Sequence, residues 1–197
     1  MSKKTSSAKA GGKSQPFITD VETLRDRARK NIGNAGITHS YEGDPKKAIS
    51  ILQNVLATEI VCVLRYTMHA IAATGISSEG VKAEFSEHAK EESQHVHLVA
   101  ERINQLGGVP DFNPKGLASR SASEYGAADD LVGMIRENLI AERIAVDHYR
   151  ELIRYFGDRD PGTRKMLESI LTKEEEHAND MHDLLVAHEG KPMIKSH

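Results

Sequence analysis

The sequence predicts an all-α protein, a four-helix bundle with one long crossover between helices two and three. Apolar residues recur at helical spacing in four long stretches, and no alternating strand pattern competes with them. The first and last connections are short, whereas the middle one is long and rich in Gly, Pro and Ser. Each stretch holds roughly 25–30 residues, or about 40 Å at 1.5 Å per residue. Helices one and two, and helices three and four, should therefore form antiparallel hairpins.

Start and stop signals bound the four helices. Asp44-Pro45 and Asp160-Pro161 are repeated start signals, because Asp caps a helix and Pro suits its first position. Gly107-Gly108 and the following Pro110 end the second helix. The predicted helices cover residues 44–75, 78–106, 129–157 and 160–190.

The chain is predicted to have one folded domain with additions at both ends. Residues 1–14 are interpreted as a disordered basic tail, 15–43 as an N-terminal extension with a short helix near 21–32, 44–190 as the bundle and 191–197 as a C-terminal tail. The basic tail carries four lysines and no acid: Lys3, Lys4, Lys9 and Lys13. Subtracting them from 26 basic residues leaves 22 against 29 acidic ones, so the remainder has a formal charge of −7.

Composition excludes several classes of protein. The 197 residues carry a formal charge of −3 and 5% aromatics without Trp, which argues against a wholly basic or aromatic-rich nucleic-acid binder. The single cysteine, Cys62, excludes an internal disulfide and a cysteine-based zinc or iron site, and fits a cytoplasmic location. The sequence contains no run of 18 apolar residues, so no membrane span is predicted. Ten histidines are unusual and indicate metal binding.

Two Glu-x-x-His motifs predict the metal ligands. Glu92/His95 lies in helix two and Glu174/His177 in helix four, and residues three apart share one face of a helix. A carboxylate and an imidazole so placed can hold one metal ion from the same side. Carboxylate and imidazole ligands suit iron, with manganese the less favoured choice.

Helices one and three each supply a further carboxylate close to an apolar stripe. Glu59 and Glu142 should have a cation partner, because burying an unpaired carboxylate is costly. The alternative pairs Glu59 with Arg65 and Glu142 with Arg143 at the surface. Tyr66 follows Glu59 by seven residues, and a second tyrosine follows Glu142 at the same spacing, which indicates a duplicated half-site.

With these residues, the chain resembles bacterioferritins and the bacterioferritin-like, Dps-type mini-ferritins of the ferritin-like superfamily. The resemblance covers about residues 44–189 and includes the GGVPDF turn after helix two. It implies a ferroxidase with two irons in each subunit, bridged by Glu92 and Glu174, and Tyr66 as a candidate one-electron donor. It also implies a hollow shell that stores ferric mineral. The six implied ligands are Glu59, Glu92, His95, Glu142, Glu174 and His177.

Two departures from bacterioferritins shape the remaining expectations. Ser93 occupies the position of their haem-ligating Met, so no haem is predicted. Only 20 residues follow His177, which leaves no room for their fifth helix. A 12-subunit shell is therefore favoured over a 24-subunit one.

The sequence thus predicts a ferroxidase that uses O2 or H2O2 to oxidise Fe(II) and protects against iron and peroxide stress. The alternatives are a di-iron oxygenase or hydroxylase, a dimanganese catalase, and a DNA-compacting protein acting weakly through the basic tail. Further histidines within the helices are interpreted as surface or hydrogen-bonded residues, with iron entry or nucleation as the alternative: His69, His88, His97, His148 and His182.

Overall fold

The computed structural model describes residues 18–34, 36–75 and 78–189, and within these ranges the chain is helical without any strand. This confirms the predicted all-α fold and the crossover bundle. The chain divides into two compact units, residues 1–33 and 34–197. The first unit contains α1, and the second contains the remaining helices. The helices are α1 Val21–Lys30, α2 Pro45–Ala72, α3 Ser78–Gln105, α4 Leu117–Arg120, α5 Leu131–Phe156 and α6 Pro161–Glu189.

Aspartate caps set where three of the four long helices begin. The Asp44 carboxylate accepts hydrogen bonds from the backbone N–H groups of Lys46 and Lys47 at the start of α2. Asp130 accepts one from Gly133 at the start of α5, and Asp160 accepts one from Thr163 at the start of α6. The helix starts predicted at Asp44-Pro45 and Asp160-Pro161 are therefore confirmed.

Backbone conformation and lack of space explain the two glycines, Gly107 and Gly108, that follow α3. Gly107 has a φ of 84°, a left-handed conformation that favours glycine. A Cβ on Gly108 would lie 2.9 Å from a methyl carbon of Ile103 and 3.0 Å from one of Ile49. Any side chain at residue 108 would therefore force the side chains of Ile103 and Ile49 to shift.

The crossover between α3 and α5 runs along α2. Gln53 exchanges hydrogen bonds with the backbone of Val109 and Asp111, and Thr58 accepts one from the backbone of Ala122. The short helix α4 lies within this connection, where the sequence predicted only a loop. Four residues carry too little periodicity to be recognised as a helix in sequence.

Two large apolar clusters lie toward opposite ends of the bundle, and a third, smaller cluster packs α4 against α2. The first contains Leu52, Ile103 and Phe156, and the second contains Phe85 and Met181, among others. Between the two large clusters, each of the four long helices contributes buried polar or charged residues, among them Glu59, Glu92, Glu142 and Glu174. The bundle therefore has a polar layer in its middle.

Arg65 on α2 is fully buried, although the sequence suggested a surface ion pair with Glu59. Its guanidinium donates to Oδ1 of Asn138 on α5 at 2.8 Å and to the carbonyl of Glu124 in the crossover at 3.0 Å. Burial by itself lowers the pKa of Arg65, but the charges of neighbouring groups outweigh burial and raise this pKa above its usual value. This side chain ties α2 to α5 and to the crossover.

Replacing Arg65 with Met should destabilise the chain by about 2–4 kcal/mol, because a buried charge-assisted pair of hydrogen bonds is lost and Asn138 is left unsatisfied. Thermal unfolding of the wild-type and variant proteins measures this. Arg154→Met, at an exposed position of α5, is the matched control and should change stability by less than about 0.5 kcal/mol. Equal effects of the two substitutions would contradict the assignment.

By length and composition alone, α2 could cross a membrane. Half of its most apolar stretch is buried inside the structure, where it packs against α3 and α5. We treat it as a core helix of the bundle for this reason.

Candidate metal centre

Six buried side chains from α2, α3, α5 and α6 meet in the polar layer. Each is at most 4% exposed. Helical periodicity places them there, because each lies on the inward face of its own helix. We call this set the six-residue pocket: Glu59, Glu92, His95, Glu142, Glu174 and His177.

The pocket contains two overlapping groups of possible ligands. Ligand atoms of Glu59 and His95, together with atoms of Glu92 and Glu174, all lie within 4.8 Å of one another. Glu142 and His177 form an equally compact group with the same two glutamates. Glu92 and Glu174 belong to both groups, so they would be shared if each group held one ion.

The two histidines face the carboxylates through Nδ1. Nδ1 of His95 lies 2.9 Å from Oε1 of Glu174, 3.2 Å from Oε2 of Glu92 and 3.3 Å from Oε2 of Glu59. Nδ1 of His177 lies 3.4 Å from Oε1 of Glu92. Its Nε2 lies 2.7 Å from Oε2 of Glu91, a contact that fixes the ring orientation as carboxylates around metal-bound histidines do.

Two tyrosines connect the hairpins across the pocket. The Tyr66 hydroxyl on α2 donates to Oε1 of Glu142 on α5 at 2.5 Å. The Tyr149 hydroxyl on α5 donates to Oε1 of Glu59 on α2 at 2.6 Å. Each tyrosine thus binds the glutamate of the other hairpin, as an approximate two-fold repeat requires. The sequence shows the repeated spacing but not this exchange of partners.

Without a cation, the ionised carboxylates of the pocket are unfavourable, because they are buried and repel one another. Burial, and then the charge of Glu92, raise the pKa of Glu59 to about 7 and also raise the pKa values of Glu142 and Glu174. Although burial opposes it, hydrogen bonds with His177 and His95 lower the pKa of Glu92. Burial likewise opposes ionisation of His177, but its contacts with Glu92 and Glu142 raise its pKa to about 9.

The pocket contains buried polar atoms without a hydrogen-bond partner among the described residues, which bound cations would satisfy. Glu59 Oε2, Glu92 Oε1, Glu142 Oε2 and His177 Nδ1 are buried without a hydrogen bond of good geometry to any described residue. Native structures rarely leave such groups unpaired. Four carboxylates and two neutral imidazoles carry −4, which two divalent ions would balance. The oxygen and nitrogen ligand set suits iron or manganese.

The surface-pair alternative for the two isolated glutamates is wrong. Glu59 is 1% exposed and contacts His95 and Tyr149, while Arg65 points to Asn138. Glu142 is fully buried, and Arg143 is exposed.

The other helical histidines differ in their surroundings. His69 is buried and hydrogen-bonded to Asn138, and His97 is exposed and bonded to the carbonyl of Ser93. His182 is half-buried, and its Nδ1 lies 3.2 Å from Oδ1 of Asp183. His88 is 1% exposed and stacks on His177, with 4.0 Å between ring centroids. Burial, and then His177, lower the pKa of His88 to about 3.

Comparison with known proteins agrees with this geometry. A family model described as a ferritin-like domain matches residues 49–189, which include α3, α5 and α6, α2 from residue 49 onward, and the whole pocket. The chain belongs to the ferritin-like family. The relatives described next place it with the Dps-type mini-ferritins of that family.

This ferritin-like chain is 33% identical over 132 residues to the nutrient stress-induced DNA-binding protein of a Synechococcus species, covering 64% of this chain and 74% of that protein. It is 29% identical over 154 residues to the DNA protection during starvation protein of Pyrococcus furiosus, covering 76% and 80%. Among solved structures it is similar to the bacterioferritin-related protein of Bacteroides fragilis, described as a dodecameric thioferritin. That similarity has 32% identity, a TM-score of 0.71 and coverage of 78% of this chain and 94% of that one.

Proposed function

We propose that this ferritin-like protein oxidises Fe(II) at the six-residue pocket and stores the ferric product inside a shell of its own copies. The observation that carries the proposal is the pair of overlapping ligand groups sharing Glu92 and Glu174. Such a pocket can hold two irons side by side, so that both give an electron to one oxidant molecule. With H2O2, two Fe(II) and two protons yield two Fe(III) and two water molecules.

The names of the relatives support storage in a shell rather than oxygenation of a substrate. The Bacteroides fragilis protein is described as dodecameric, and we propose twelve subunits here, with 24 as the alternative. Two relatives are named for nutrient stress or starvation, which supports a role against iron and peroxide stress in the cytoplasm. The single cysteine, Cys62, is buried and unbonded to another cysteine, as a reducing compartment would favour.

The proposal is tested by loading the metal-free protein with Fe(II) anaerobically and then adding O2 or H2O2. We expect many ferric ions per subunit to co-elute with a particle of several hundred kilodaltons, since twelve chains of 21.7 kDa amount to about 260 kDa. A faster reaction with H2O2 than with O2 would identify the oxidant and support the protective role.

The same experiment separates the alternatives. Two irons per subunit without mineral, in a monomer or dimer, would indicate a di-iron oxygenase. Manganese in the purified protein, together with oxygen release from peroxide, would indicate a dimanganese catalase.

Tyr66 is proposed as a one-electron donor to the pocket. Its hydroxyl proton has an acceptor in Glu142 at 2.5 Å, so loss of an electron can be accompanied by proton transfer to that carboxylate. We expect a tyrosyl radical signal by electron paramagnetic resonance after oxidation of Fe(II)-loaded protein, and its loss in Tyr66→Phe. Tyr149→Phe is the matched control, because Tyr149 makes the equivalent bond to Glu59. Loss of the signal in the control alone would refute the assignment.

DNA binding is a second candidate function, because both relatives described above carry DNA in their names. The basic tail, residues 1–14, supplies four lysines that can contact phosphates; it lies outside the described residues. Deleting the tail should abolish retardation of DNA in a gel and leave Fe(II) oxidation unchanged. Retardation that survives the deletion would contradict this candidate.

A further inference from the structure

We infer that Glu84, His88 and Asp180 form a third divalent-cation site, next to the six-residue pocket but separate from it. Ligand atoms of these three residues lie within 4.8 Å of one another. Nε2 of His88 lies 3.3 Å from Oε1 of Glu84 and 3.5 Å from Oδ2 of Asp180. None of the three belongs to the six-residue pocket.

The hydrogen bonds of Tyr66 determine which nitrogen of His88 faces this site with a lone pair. The Tyr66 hydroxyl donates its proton to Glu142, so its oxygen can only accept from Nδ1 of His88, which lies 3.1 Å away. A neutral His88 with its proton on Nδ1 presents an unprotonated Nε2 to the two carboxylates. Three acceptors then face one another without a donor between them.

A divalent ion between these atoms resolves the conflict. One imidazole nitrogen and two carboxylates are the ligands that first-row divalent ions such as Fe(II), Mn(II) and Zn(II) take in proteins, and two carboxylates balance the charge of one ion. His88 is 1% exposed, whereas the side chain of Asp180 is 48% exposed. The site is thus anchored inside the bundle and open to solvent on one side, which provides an entry path.

The internal repeat of the chain sets this cluster apart. An offset of 82 residues carries Glu92 to Glu174 and His95 to His177. The same offset relates Glu84, His88 and Asp180 to apolar residues, namely Met166, Ile170 and Leu98. The half-site that contains Tyr149 therefore has no counterpart of the cluster. A buried histidine where the repeat has a core isoleucine costs stability unless it is paired.

The position suggests what the third ion does. The ring of His88 stacks on the ring of His177, which belongs to the six-residue pocket. An ion bound to Nε2 of His88 would therefore be separated from the pocket only by the His88 ring. We assign it as a holding position for Fe(II) on its way to or from the pair. This role rests on the proposed function, whereas the binding of the ion does not.

Zinc tests the site, because it has no redox chemistry and takes histidine and carboxylate ligands. Crystals of the full-length protein soaked in Zn(II) should show an anomalous peak in contact with Nε2 of His88, at about 2.0–2.1 Å. Dialysis of the dissolved protein against Zn(II) should give three zinc ions per subunit. No peak at this position in the wild-type protein would overturn the inference.

Variants identify the ligands and separate the two proposals. Asp180→Asn, at a half-exposed position, should lose the third peak and one zinc per subunit, whereas Asp183→Asn, at an exposed position of the same helix, should keep both. A third peak that persists unchanged in Asp180→Asn and in Glu84→Gln would overturn the inference. Glu142→Gln should weaken zinc binding in the six-residue pocket and leave the third peak in place, so failure of one site is distinguishable from failure of the other.

Discussion

Glu92→Gln should lose rapid Fe(II) oxidation while the shell still assembles. Glu92 belongs to both ligand groups, and its two carboxylate oxygens face His95 and His177. The substitution keeps the volume but removes the charge that both ions would share. Since loss of an outer-shell partner alone costs about 10- to 100-fold in metal affinity or activity, we expect at least that reduction in the initial rate. Stopped-flow absorbance of ferric product after mixing with oxidant measures it.

Glu101→Gln is the matched control for this experiment. Glu101 lies on the same helix, is exposed, and stands outside the pocket. It should oxidise Fe(II) at the wild-type rate, and both variants should elute from a sizing column with the wild-type protein. An Fe(II) oxidation rate in Glu92→Gln equal to that of the wild-type protein would show that the pocket is not the site of oxidation.

The metal-free protein should become less stable as the pH rises from 6 to 9. The folded-state pKa of Glu59 is about 7 against 4.5 for an ordinary Glu, and that of His177 is about 9 against 6.5. Both groups bind protons more tightly in the folded state. Their stabilising contribution is therefore complete below the unfolded pKa and is lost as the pH passes the folded pKa. The windows are pH 4.5–7 for Glu59 and 6.5–9 for His177. We expect a loss of about 1–3 kcal/mol, measured by urea unfolding.

Zn(II) and one variant provide the controls. Saturating Zn(II) should remove most of the pH dependence, because a bound cation replaces the protons, and should raise stability by about 4 kcal/mol at 1,000 times its dissociation constant. Glu142→Gln removes one buried charge and keeps an oxygen that accepts from Tyr66, so it should stabilise the metal-free protein at pH 8 and weaken the effect of Zn(II). Metal-free stability that rises between pH 6 and 9 would contradict the charge balance described above.

Local sequence signals were sufficient for the helices. Asp-Pro pairs predicted where α2 and α6 begin, and the Gly107-Gly108 pair predicted where α3 ends, because caps and left-handed turns depend on a few adjacent residues. The meeting of the two Glu-x-x-His motifs with Glu59 and Glu142 followed from helix periodicity together with the crossover topology. The bounds of the domain and of both tails stay predictions.

Contacts between helices were harder to predict, because they depend on how far each helix is rotated and shifted against its neighbours. The bonds from Tyr66 to Glu142 and from Tyr149 to Glu59 join residues 76 and 90 positions apart. The burial of Arg65 depends on the crossover, whose course has no periodic signal. His88 could have been singled out, since it lies four residues before Glu92 and so on the same inward face.

The position of the polar layer between two separate apolar clusters has a mechanical consequence. The clusters anchor the two ends of the bundle, while the middle is joined by charged groups whose mutual repulsion a bound cation would reduce. If the proposed ions are bound there, their removal should destabilise this middle layer before either end of the bundle unfolds. Amide hydrogen exchange would then become faster around Glu59 and Glu142 and stay slow near Leu52 and Phe85. Each cycle of metal binding and release would thus be accompanied by local opening at the centre of the subunit.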